Sequence, residues 1–161
     1  MPRQTFRASE RLGHRGQVEA VFATGKTLRP RSVPEAEQVL RVRFRSGSLA
    51  DLHGPLSASA VPPARVQVLF AVPKKRFKRA HDRNQVRRHL REAYRHHRDE
   101  LVAATEATGR HVLLVVLVQA TAMPPAAVLA AQLAECLGSV AHQLRKLGPP
   151  APENLPPSGT E

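Results

Sequence analysis

Between Lys74 and Arg98 the chain sets eleven Lys/Arg against two acids, Asp82 and Glu92, a net +9 of the formal +12 carried by all 161 residues. Guanidinium groups at this density suit one kind of chemistry, the holding of phosphate. Each can fork two N–H donors onto a single phosphate, which a Lys ammonium does less well. On a helix, Arg87, Arg91, Arg95 and Arg98 fall along one side, with Arg83, Asn84 and Arg88 beside them. Like charges four residues apart repel, and ordinary solvated faces mix their signs. The row therefore calls for a polyanion, and Lys74 and Lys75 add to it from just upstream. A sequence pI near 11.4 favours nucleic acid, whose neutralised phosphates release counterions.

Chemistry of other kinds finds little support. No Ser-His-Asp spacing, glycine-rich phosphate loop or pair of carboxylates stands out, so catalytic residues are not expected on the protein. Of the eight histidines, His89, His96 and His97 lie closest together, but Arg88, Arg95 and Arg98 flank them and would repel a cation. No Cys or carboxylate completes a ligand set there, so no metal site is expected. The single cysteine, Cys136, excludes an internal disulfide, fits a reducing cytosol and reads as a buried apolar residue. An anionic membrane is the other polyanion to weigh. No apolar run reaches the roughly 18–20 residues of a spanning helix, and Met1-Pro2-Arg3-Gln4-Thr5 lacks a signal-peptide core.

The elements that must position these groups can be read from periodicity. Val86, Leu90, Ala93, Tyr94 and Leu101 form an apolar stripe opposite the cations, which predicts an amphipathic helix anchored to a core. Asp82 with Gln85 resembles a capping box near residue 82, and a start one turn earlier at Arg79 fits equally. Tyr94 reads as core, and Glu92 as a partner of Arg88 or Arg95.

Upstream, Val18, Val21 and Phe22 mark one face of a short helix stopped by Gly25. Residues 38–45 alternate as a half-buried strand, with Leu40, Val42 and Phe44 on one side and Arg41, Arg43 and Arg45 on the other. That Arg ladder fits a solvated sheet face and a cationic ligand surface about equally. Val66–Val72 is a second strand, halted by Pro73, and the apolar run at 111–118 reads as a strand covered on both faces. Pro124 and Pro125 open a last helix whose stripe runs from Val128 to Leu147.

The expected fold is an α/β (α+β) two-layer sandwich on a mixed sheet of about four strands. Its order is α-β-β-β-α-β-α, with the arginine-rich helix in a β-α-β crossover. Residues 1–147 form one domain, 46–64 a long loop insertion, and 148–161 a disordered Pro-rich tail.

The string Arg83-Asn84-x-Val86-Arg87-Arg88-x-x-Arg91-Glu92-x-Tyr94-Arg95, preceded by Val72-Pro73-Lys74-Lys75 and Lys78-x-Ala80, resembles the signature of the bacterial ribonuclease P protein component. Glu10-Arg11-Leu12 and Val21-Phe22-x-x-Gly25-Lys26 resemble its N-terminal helix, and the resemblance covers roughly residues 6–147. It implies a protein that binds a large catalytic RNA and, with it, removes the 5′ leader of precursor tRNA. The RNA would carry the chemistry, with Mg²⁺ bound mainly by RNA and substrate. Implied RNA-gripping residues are Lys74, Lys75, Arg83, Asn84, Arg87, Arg88, Arg91 and Arg95. A leader cleft is implied between the N-terminal helix and a sheet face, with Val18, Phe22 and Phe44 as candidates. Val18 stands where the family commonly has an aromatic, and Phe44 could equally lie in the core.

The expected partners are the catalytic RNA and precursor tRNA, with no membrane. A monomer within a cytoplasmic holoenzyme is the expected state. A structural RNA binder of the ribosomal-protein kind is the alternative. A DNA-reading helix fits less well, since such helices mix Asn, Gln and Ser with fewer Arg to read base edges.

Overall fold

A computed structural model describes residues 6–53 and 63–150. The element order is α1 (Arg15–Thr24), β1 (Lys26–Leu28), β2 (Leu40–Gly47), α2 (Leu49–His53), β3 (Val66–Ala71), α3 (Ala80–His97), α4 (Asp99–Thr108), β4 (His111–Val118) and α5 (Ala126–Leu147). The four strands make one mixed sheet in the order β1-β2-β4-β3, in which only the β3–β4 pair is parallel. The expected two-layer sandwich and the β-α-β crossover are both present.

The alternating strands divide the apolar residues between two faces. Leu40, Val42 and Phe44 of β2 join Val68 and Phe70 of β3 and Leu114 and Val116 of β4 on the face covered by α3, α4 and α5. Leu113 and Val115 point the other way, where Leu12, Val21 of α1 and Leu52 of α2 cover them. After His111, strand β4 is apolar to its end, and side chains on both of its faces are buried. The outer edge of β3 is closed by the N-terminal segment, whose Leu12 N–H donates to the Val68 carbonyl at 3.0 Å.

Two helices go beyond the expected order. Arg98 ends α3 and starts α4, so the crossover holds two helices where a single one was expected. Helix α4 carries Asp99 and Glu100 in its first turn, where they complement the helix dipole. Gly109, in the left-handed conformation at φ 72°, stops it. Helix α2 falls inside the expected loop. Ser48 and Asp51 cap it reciprocally, backbone N–H to side-chain oxygen, at 3.0 and 3.1 Å. Residues 54–62 of that loop and 151–161 of the expected disordered tail lie outside the described residues. The start of the tail is tied down: the Arg110 Nε donates to the Gly148 carbonyl at 2.6 Å.

Three further expectations change in detail. Helix α3 starts at the earlier of the two possible places, with Arg79 at its N-cap, and Asp82 lies within the first turn without capping it. Leu147, expected on the buried stripe of α5, is exposed because the helix ends there and runs past its packing partners. Gly25 follows α1 with an ordinary φ of −74°, so a left-handed stop is not its role.

Tyr94 lies in the core, its ring edge-on to Phe6 and Phe70 with centroids 5.7 and 6.1 Å away. Burial raises its phenol pKa well above the ordinary value, and the nearby Glu10 carboxylate adds to the rise while Arg98 opposes it. Its hydroxyl has no partner among the described residues. The folded chain therefore holds this proton more tightly than the unfolded chain. The stability tied to the neutral phenol is intact below about pH 10 and falls as pH rises beyond it. Tyr94→Phe should abolish that alkaline fall and shift stability at pH 7 by less than about 1 kcal/mol. Denaturant melts from neutral to alkaline pH measure both. An unchanged alkaline fall in the variant would assign it to other groups.

Candidate nucleic-acid interface

Helix α3 buries Val86, Leu90, Ala93 and Tyr94 in the core against α5 and the sheet, which turns its cationic side outward. There Asn84, Arg87, Arg88 and Arg91 surround an open depression of about 490 Å³. The Arg87 guanidinium donates to the Asn84 Oδ1 at 3.4 Å, and no acid pairs with Arg87, Arg88 or Arg91 among the described residues. The Arg91 guanidinium pKa is held below the usual arginine value by burial and by the charges of Arg11 and Arg87 beside it. Arg11, Arg87 and Arg91 thus repel one another, and an anion among them would relieve that repulsion.

The other cations of the segment have different situations. Arg83 donates to the Phe77 and Lys78 carbonyls at 2.8 and 3.0 Å, so it staples the β3–α3 loop to the helix. Phe77, 5% exposed, plugs that loop into the core. Lys74 and Lys75 are therefore held, exposed, on a fixed turn at the exit of β3. Arg95 bonds Glu92 at 3.3 Å, one of the two partners expected for that acid. Arg98 leaves the cationic row altogether. It forms a mostly buried ion pair with Glu10, which also accepts from the Arg7 N–H at 2.7 Å, and so clamps the N-terminal segment to the end of α3.

A second candidate surface is the sheet face that α1 covers only in part. Register places Arg43, Val115 and Leu69 in one cross-strand row and Arg41, Leu117 and Ala71 in the next. Val115 is fully buried, while Leu69, Ala71 and Leu117 remain half-buried alongside Val18 of α1. Phe22 stands at the rim with 42% of its surface exposed. The result is an apolar strip edged by guanidinium groups. Arg11, on the chain segment paired to β3, carries cationic character from Arg91 toward it.

Phe44 is not part of this strip. It is 2% exposed on the opposite face of the sheet, as its alternation with Leu40 and Val42 requires. The residues that β2 does contribute are Arg41 and Arg43, and Leu117, Ala71 and Arg11 were not singled out from the sequence. Alternation had set the arginines apart from Phe44; which face α1 would cover was the missing fact. Val18 and Phe22 do come together on the strip.

Among the described residues, no three His, Cys, Asp or Glu side chains converge as metal ligands, and no helix is long and apolar enough to cross a membrane. A family model described as Ribonuclease P matches residues 6–141. No curated protein matches the chain.

Proposed function

The chain belongs to the ribonuclease P family, and on that premise we propose that α3 grips the catalytic RNA while the half-covered sheet face holds the 5′ leader of precursor tRNA. Membership makes the chain a ribonuclease P protein subunit, a participant in an endoribonuclease complex that processes tRNA. The observation that carries the finer reading is the depression lined by Asn84, Arg87, Arg88 and Arg91, in which the three guanidinium groups have no acid partner among the described residues.

The division of labour follows from charge. RNA subunit and substrate are both polyanions, so a protein at +12 reduces the repulsion between them as it binds. Arg87, Arg88, Arg91, Lys74 and Lys75 hold phosphates of the RNA subunit. Arg83 and Arg95 act beside them, Arg83 by fixing the loop that carries the lysines and Arg95 by limiting the reach of Glu92. On the other surface, Phe22 and Val18 give an extended single strand apolar contact. Arg41, in the cross-strand row with Leu117 and Ala71, meets the leader backbone. Cleavage of the phosphodiester, leaving a 5′-phosphate on the tRNA, belongs to the RNA. Mg²⁺ is assigned to RNA and substrate phosphates, as the family resemblance implies. The chain is taken to act as a monomer in a cytoplasmic ribonucleoprotein.

RNA recovered with the chain from its host tests this reading against the structural-RNA-binder alternative. The expected recovery is one long structured RNA that processes precursor tRNA. Ribosomal RNA alone would favour the alternative. At the cleft, Phe22→Ala should weaken precursor tRNA binding by the holoenzyme about fivefold, the low end for one lost base stack, and leave mature tRNA binding unchanged. Filter binding of both RNAs reads the ratio, and equal losses would make Phe22 a packing residue only.

A further inference from the structure

The three arginines of β2 share one sheet face but not one situation. Arg43 has both terminal nitrogens engaged, although its Nε, like that of Arg41, is buried without a partner among the described residues: one terminal nitrogen donates to the Phe22 and Gly25 carbonyls at 2.6 and 3.2 Å, and the other donates to the Thr27 Oγ1 at 3.1 Å. Its guanidinium carbon also lies 5.8 Å from the centroid of the Phe22 ring. These acceptors are the last turn of α1 and the start of β1. The closing carbonyls of a helix have no partners within it, and a cation there also meets the negative end of the helix dipole. Helix α1 has no basic residue of its own in that turn, so a neighbouring strand supplies the cation. Arg41, two residues away on the same face, commits neither terminal nitrogen to a hydrogen bond or ion pair among the described residues.

From this contrast we propose that Arg43 is a positioning residue: it locks the end of α1 and holds Phe22 at the rim of the leader cleft, and it does not itself contact the leader. The proposal rests on the leader-cleft reading above. Arg43 confers preference for precursor over mature tRNA through Phe22, whereas Arg41 acts on the leader as a free charge. In the latched arrangement both terminal nitrogens of Arg43 are already committed, so a leader phosphate would have to compete with three protein acceptors.

The test uses the holoenzyme reconstituted with full-length chain, with precursor and mature tRNA affinities measured over a salt series. Arg43→Lys keeps the charge but loses the fork. It should lower precursor preference about two- to fivefold, no more than Phe22→Ala does, while binding the RNA subunit as the wild type does. Arg43→Gln should lose the same preference and leave the salt slope of precursor binding unchanged. Arg41→Gln, by contrast, should reduce that slope by up to about 0.7, the value for one single-strand phosphate. In a Phe22→Ala background, Arg43→Lys should cause no further loss. A slope reduced by Arg43→Gln, full additivity with Phe22→Ala, or an unaltered preference in Arg43→Lys would each overturn the proposal. If the wild-type holoenzyme shows no precursor preference, the cleft reading itself fails. If Gln at position 43 does not fold, the Lys variant and its cycle with Phe22→Ala still decide.

Discussion

Replacing Arg87 and Arg91 together by Gln should weaken binding to the RNA subunit about a hundredfold or more and flatten its salt dependence. Each guanidinium–phosphate contact is a charge-assisted hydrogen bond worth about 1.5–3 kcal/mol, so two of them span that loss. Each also releases counterions, so the slope of log affinity against log salt should fall by about 0.9 per contact on duplex-like RNA, roughly 1.8 in all. These two residues are chosen because they flank the same depression and have no acid partner among the described residues. Arg95, held by Glu92, should matter less. Thermal stability should be unchanged or slightly higher in the double variant, since the change removes repulsion among Arg87, Arg91 and Arg11. Binding isotherms over a salt series measure the effect. An unchanged slope would take the cationic side of α3 out of the interface.

Gly25→Ala should cost about 1–3 kcal/mol of stability, as overpacking does, and should also abolish preference for precursor tRNA. The backbone there has an ordinary φ, so the cost is one of space. A Cβ would lie 2.3 Å from the Val21 carbonyl oxygen and 2.9 Å from that of Phe44. Both obstacles are backbone, one in α1 and one in β2, and neither can swing aside as a side chain would. Relief requires α1 to lift from the sheet, which moves Phe22 and breaks the bonds from Arg43 to the helix end. Denaturant melts and the ratio of precursor to mature binding should therefore change together. A destabilised variant that keeps its preference would separate the seating of α1 from the cleft.

What could be read from the chain before the structure was whatever repeats locally. The stripe Val86, Leu90, Ala93, Tyr94 is buried as its spacing required, and β2 alternates as its residues do. The two-sided burial of β4 was legible from its unbroken apolar run. The features that escaped depend on residues distant in sequence. Arg98 looked like one more member of a cationic row because its partner, Glu10, lies 88 positions away. Arg43 looked equivalent to Arg41 until the end of α1 was seen to lie against it. The break between α3 and α4 had a local signal, Asp99 and Glu100 ahead of an apolar repeat and Gly109, but it was hidden by the continuity of helix-forming residues across Arg98. Phe44 illustrates the same limit. Its side of the strand was evident, and the element that would cover that side was not.

All of this rests on the chain serving an RNA that does the cutting. The most direct measurement is removal of the 5′ leader from precursor tRNA by the host's candidate catalytic RNA at near-physiological Mg²⁺, with and without the chain. The chain should raise the rate of leader removal and the affinity for precursor, and the Arg87→Gln/Arg91→Gln variant should lose both gains. A rate and affinity that the chain leaves unchanged would contradict its place in the enzyme.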